Sequence, residues 1–254
     1  MLIDTHCHLD DEQFADDLDA VIARAADAGV GAIVTAGADV ASSRAAIALA
    51  EKYDRVYAVV GIHPHHVQGF DRNGLEAIRA LASQRRVVGI GEIGLDFHYA
   101  DGAPREAQVR AFIAQLDLAA ELGKPVVIHD RDAHAELMQI LERRNGNPRG
   151  VLHCFSGDLD MARRAIDLGF YISFAGNVTF GNAQSLQNIA RALPLECIVI
   201  ETDSPYLSPQ RGRRNEPANV GQVAAKIATL KNIAASAAEQ VTTRNSQMLF
   251  GLSE

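Results

Sequence analysis

The 254-residue chain carries 32 acidic against 24 basic side chains, a formal net charge of −8, with 48% hydrophobic and 22% charged residues. That balance argues against a broad nucleic-acid surface, which neutralises many phosphates with Lys and Arg, but not against a local phosphate site built on metal and a few arginines. No apolar run reaches membrane-spanning length, the N-terminus has acids and histidines where a secretory signal would be basic and then apolar, and three scattered cysteines give no disulfide framework, so a cytoplasmic protein with no membrane or obligate protein partner is expected.

In chain order, eight short β-branched runs alternate with amphipathic stretches. LIDTHCH comes first, followed by GAIVTAG, VYAVVGIH, RVVGIGEIG, PVVIHD, GVLHCFSG, FYISFAG and CIVIETD. They recur roughly every 20 to 40 residues, the spacing of strand–helix units. Between them lie alanine-rich segments such as DLDAVIARAADAG, PREAQVRAFIAQLDLAAELG and DMARRAIDLG, three of which end at Gly29, Gly123 and Gly169, as helix C-caps do. Eight such repeats predict a single α/β domain over residues 1–254, a (β/α)8 TIM barrel; a doubly wound open sheet is the structural alternative. No linker or low-complexity segment divides the chain.

Many of these runs end in a residue able to bind metal. His6 and His8 end the first, His63 the third, Glu92 the fourth, His129 the fifth, His153 the sixth and Asp203 the eighth. A barrel gathers all those C-terminal ends on one face. Strand alternation puts His6 and His8 on one side with Asp4 a step deeper, and turns Cys7 away. Cys154 adjoins His153 and reads likewise as packing, as does Cys197 at a strand start. Glu92 could bridge two ions, with His6, His8 and Asp203 on one and His129 and His153 on the other. Imidazoles with carboxylates suit two divalent ions such as Mg²⁺, Mn²⁺ or Zn²⁺.

MLIDTHCHLD, GIHPHHV, GEIGLDFHY, PVVIHDRDA, LHCFSGD and ETDSPYLSP, in this order, resemble the TatD family of metal-dependent deoxyribonucleases, from Leu2 to about Leu252. The resemblance implies a (β/α)8 barrel of the metallo-dependent hydrolase superfamily. It implies His6, His8, Glu92, His129, His153 and Asp203 as metal ligands and His63 as an active-site residue facing phosphate. A glutamate at the fourth strand, where many amidohydrolase relatives use a modified lysine, favours this branch.

The implied reaction is hydrolysis of phosphodiester bonds in DNA, on single strands or strand ends, of the 3'–5' exonuclease type, with Asp203 as general base, His63 on the phosphate and Glu92 between the ions. His65, Arg131 and the basic cluster Arg211, Arg213 and Arg214 are candidate substrate contacts, since a guanidinium offers phosphate two hydrogen bonds. His65, past Pro64 where strand alternation lapses, reads more readily as a loop histidine than as a substrate contact. Tyr206 and Phe97 read as packing residues rather than base-stacking ones. Asp4, Asp96 and Glu201 are candidates to support the ligating side chains. A barrel acting on an amide, lactone or phosphotriester is the enzymatic alternative, and a non-catalytic metal-binding barrel the third.

Overall fold

A computed structural model describes residues 1–252 of the chain. Each of the eight apolar runs is a strand: β1 (Leu2–Cys7), β2 (Val30–Ala36), β3 (Val56–Val60), β4 (Val87–Asp96), β5 (Val126–Arg131), β6 (Gly150–Leu152), β7 (Tyr171–Phe174) and β8 (Ile198–Ile200). The strands pair in parallel in chain order, β1 to β8, which excludes the open doubly wound alternative, whose strand order would reverse. The ring comes nearly closed through a parallel bridge between Cys7 and Ser204, with the His8 amide donating to the Ser204 carbonyl at 2.8 Å and the Asp203 amide to the His6 carbonyl at 3.0 Å.

Helices α1 (Leu18–Asp27), α2 (Val40–Lys52), α3 (Arg72–Ala82), α4 (Arg105–Leu122), α5 (His134–Arg143), α6 (Leu159–Asp167), α7 (Gln184–Ala192) and α8 (Val220–Lys231) follow the strands in turn, and α9 (Ala235–Phe250) is added at the end. Gly123 closes α4 in the left-handed conformation, φ 64°, its amide donating back to the last turn of the helix. Gly29 and Gly169 follow α1 and α6, also at positive φ.

Two apolar layers follow from strand alternation. The larger packs the outer strand faces against the helices and includes Cys7, Ile33, Ile90 and Phe112. The smaller fills the barrel interior with Ile3, Val34, Val59, Val127, Val151 and Val199, and Leu249 and Phe250 from the end of α9, with Leu252 just after it, join it. This floor leaves only the C-terminal mouth of the barrel for polar side chains. Alternation is not strict in β1, where the pairing register with β2 slips between Leu2 and Ile3 and again between Asp4 and Cys7. Ile3, not Leu2, therefore joins the floor, while Leu2 belongs to the outer layer.

β4 runs on to Asp96, past Glu92, because Gly94, Leu95 and Asp96 pair with His129, Asp130 and Arg131 of β5. Glu92 thus projects from within a strand rather than from its end. A Cβ on Gly94, whose φ is 149°, would lie 1.9 Å from the His129 carbonyl oxygen, so glycine there is what lets β4 and β5 approach.

Candidate metal centre

The backbone places the polar groups. The Gly37 and Ala38 carbonyls, just after β2, accept from the Glu92 amide at 2.9 Å and the His63 amide at 2.8 Å. That turn is itself fixed by a capping box at the start of α2, in which the Asp39 carboxylate accepts from the Ser42 amide at 2.7 Å and the Ser42 hydroxyl accepts from the Asp39 amide at 2.8 Å. The His153 amide donates to the Ile128 carbonyl at 3.0 Å. Asp203 sits at φ 56°, a left-handed conformation that Asp tolerates better than most residues and that costs backbone energy elsewhere.

Around the two oxygens of Glu92 the side chains fall into two groups. Glu92 Oε2 lies 3.4 Å from His6 Nε2 and 3.8 Å from His8 Nε2. Asp203 Oδ1 lies 3.9 Å and 3.5 Å from the same two nitrogens, which are 3.3 Å from each other. Four donors arranged tetrahedrally at about 2.1 Å from an ion stand about 3.4 Å apart. The first group therefore has the spacing of a metal site.

Glu92 Oε1 faces the second group. It lies 2.8 Å from His153 Nε2, 2.9 Å from His129 Nδ1 and 3.4 Å from His63 Nε2, and His153 Nε2 is 3.4 Å from His129 Nδ1. The donor atoms of His6, His8 and Asp203, of His6, Glu92 and His153, and of His63, Glu92 and His129 each lie within 4.8 Å of one another. Nitrogen and oxygen donors in this density fit a borderline divalent cation.

Neighbouring groups set the imidazole tautomers. Asp96 Oδ2 sits 3.1 Å from His129 Nε2 and 2.9 Å from His65 Nε2. A proton held on His129 Nε2 by that carboxylate leaves Nδ1 as the lone pair facing Glu92. In His63, Nδ1 accepts from the His65 amide at 3.2 Å, so Nε2 carries the proton that points into the centre. Glu201 lies under His153, Oε1 at 3.4 Å from Nδ1, and is itself held by the Cys154 amide at 2.7 Å and the Ser173 hydroxyl at 2.6 Å.

Electrostatics follow this packing. Burial opposes charge on Glu92, but the surrounding imidazoles, His153 foremost, hold its carboxyl well below the ordinary range. Asp203 is likewise depressed against burial, by the His8 hydrogen bond and the nearby imidazoles. His153, buried but beside the Glu92 charge, is pushed well up, and burial brings His63 down to about 4.

The six expected ligands come together at one mouth, with His63 beside them; His65, Asp96 and Arg131 line the same cleft of about 770 Å³. Asp4 is placed differently from the expectation. Its carboxylate turns to the β8 exit, accepting from the Thr202 amide at 2.8 Å and hydroxyl at 2.6 Å, and touches no imidazole; burial raises its pKa to about 8. Cys7 turns away from the centre, its thiol donating to the Val34 carbonyl at 3.6 Å.

The arginine loop is a correction. Residues 201–219 fold back because buried Asn215 donates to the Thr202 carbonyl at 2.8 Å and the Tyr206 carbonyl at 2.7 Å. Arg214 is thereby turned to α1, where it pairs with Asp17 at 2.8 Å and lies over the Phe14 ring; Arg211 and Arg213 are absent from the cleft lining. Tyr206, expected to pack, is instead about half exposed in the cleft, whereas Phe97 packs against the outer layer under Arg105. Tyr99, Asp130, Ser156 and Asn177 also line the cleft. The strand-end pattern does not reach Tyr99, Ser156 and Asn177, which stand three or four residues beyond β4, β6 and β7, and Asp130 lies inside β5 next to His129, where strict alternation would turn it away.

A parallel eight-stranded barrel with imidazoles and carboxylates at its C-terminal mouth defines a metal-dependent hydrolase of the metallo-dependent hydrolase class. Within that class the chain belongs to the TatD family: the family model described as TatD related DNase matches residues 3–251. It is 40% identical to the uncharacterized metal-dependent hydrolase YabD of Bacillus subtilis over 98% of this chain and 99% of that one. It is 38% identical to the 3'-5' ssDNA/RNA exonuclease TatD of Escherichia coli K12, over 99% of each. The crystal structure of YjjV, a TatD homologue from Escherichia coli K12, superposes with a TM-score of 0.93 at 34% identity, covering 99% of this chain and 98% of that one.

Proposed function

We propose that this chain is a two-metal phosphodiesterase that removes nucleotides from the 3' ends of single-stranded DNA. The observation that carries the reading is the single Glu92 carboxylate offering Oε2 to His6 and His8 and Oε1 to His129 and His153. The exonuclease named in Escherichia coli, similar over the whole chain, supports the choice of substrate.

His6, His8, Asp203 and Glu92 Oε2 would hold one ion, and His129, His153 and Glu92 Oε1 the other. Divalent ions of the Mg²⁺, Mn²⁺ or Zn²⁺ type bound there would stabilise charge on the phosphoryl oxygens and acidify the attacking water. Asp203, ionised at neutral pH and reachable from the cleft, accepts the proton of that water. His63 is neutral at pH 7 and donates a hydrogen bond from its Nε2–H to a phosphoryl oxygen, keeping the proton. Arg131 is the one Lys or Arg among the described residues lining the cleft, against six carboxylates, so an anionic substrate approaches only when cations reverse the local field. Three free cysteines suit a reducing cytoplasm.

That carboxylate-rich lining also favours a second reading, hydrolysis of an amide, lactone or phosphotriester at the same centre. The decisive experiment incubates the purified chain with each ion on single-stranded DNA labelled at either end, beside an amide and lactone panel. Early release of the 3' label, abolished by chelator, is expected. Chelator-sensitive amide or lactone hydrolysis with DNA intact would overturn the nuclease reading.

A further inference from the structure

Tyr99, after β4, is 50% exposed and Tyr206, after β8, is 51% exposed; no other Tyr or Phe among the described residues is as open, and both line the cleft. They stand one beside each half of the centre. The Tyr206 ring is edge-on to His8 at 6.1 Å, and the Tyr99 ring edge-on to His65 at 5.5 Å, on the Asp96 side that holds His129.

Each ring is tethered by its polar tip. The Tyr206 hydroxyl donates to Asp11 Oδ2 at 2.8 Å, and Arg131 Nη1 donates to the Tyr99 oxygen at 3.3 Å while its guanidinium lies 5.2 Å from that ring's centre. A ring fixed in this way presents a flat apolar surface at little cost in side-chain entropy.

We infer that Tyr99 and Tyr206 are stacking platforms for the two bases flanking the scissile phosphate, so that a strand is cut best when it carries a base on each side of the bond. The inference rests on the phosphodiesterase reading above. Two platforms separated by the Glu92 bridge take two bases only after those bases have left each other's stack, which a duplex resists. Aromatic rings accept every base, so cleavage is tolerant of sequence. Arg131, over the Tyr99 ring, extends that platform and brings a cation to the backbone beside it.

The test is a cycle of protein and substrate changes on a thymidine oligonucleotide, with an abasic nucleotide placed on either side of the 3'-terminal linkage. Removing one base is expected to raise the wild-type KM about tenfold to a hundredfold. Tyr99→Ala and Tyr206→Ala should each raise KM to a similar extent on the intact strand. Each should add nothing further on the substrate lacking the base its ring would carry. Tyr99→Phe and Tyr206→Phe should restore stacking and hold KM near the wild-type value. Effects that multiply independently, or alanine variants with wild-type KM while DNA is still cleaved, would overturn the stacking inference and leave the nuclease reading standing. DNA left intact by the wild type with every ion would remove both.

Discussion

Glu92 Oε1 lies 2.9 Å from His129 Nδ1, although the two residues are 37 positions apart in the chain. They meet because β4 and β5 run side by side with no side chain at Gly94 to separate them. A methyl group there would strike the His129 carbonyl and would sit at a φ of 149° that L-residues avoid. Gly94→Ala is therefore expected to lower stability by more than about 2 kcal/mol and to reduce metal retention. Chemical denaturation and elemental analysis check both, and unchanged values in the two would contradict the close approach.

The shared carboxylate predicts unequal losses of metal. His129→Ala should remove one ion's worth on elemental analysis, because only the group at Oε1 loses a donor. Glu92→Gln should weaken both ions, because both groups lose the one negative charge they share. Equal stoichiometry in the two variants would refute a bridging Glu92.

Asp203→Asn keeps an oxygen for the cation and a residue that accepts φ 56°, but removes the group proposed to take the proton. Turnover should fall by about 10² to 10⁴ while circular dichroism and thermal midpoint stay near the wild type. Wild-type kcat in this variant would remove Asp203 from proton transfer.

The Asp17–Arg214 pair makes a pH prediction away from the centre. The Arg214 hydrogen bond, helped by Arg24, lowers the Asp17 pKa to about 2. A carboxyl depressed on folding contributes its stability above the unfolded value, about 3.9, and loses it as pH falls towards 2. Arg214→Ala should flatten the acid limb of the stability curve between those values, as read from urea midpoints, and leave KM for single-stranded DNA unchanged. A raised KM would return Arg214 to substrate binding.

Much of this centre is legible one residue at a time. The period-two runs give eight strands, and a polar side chain at the end of an apolar run marks where a strand leaves the floor for the mouth, which is why His6, His8, His129, His153 and Asp203 can be read in advance. The motif order points to the family. Where strict alternation fails the reading fails with it: two register slips in β1 put Ile3 in the floor and turn Asp4 to Thr202.

Local sequence thus determined the strands and the donor types, since these depend on backbone preference and hydrophobic period within a few residues. Only the tertiary structure decided the order in which the strands pair, the distances of the donors from each Glu92 oxygen, that Arg214 faces Asp17 rather than the cleft, and that Tyr99 and Tyr206 stand open beside the centre. Those outcomes depend on contacts between distant loops, where Asn215 fastens residues 201–219 and Gly94 admits β5. No period in the sequence encodes such distances; packing sets them.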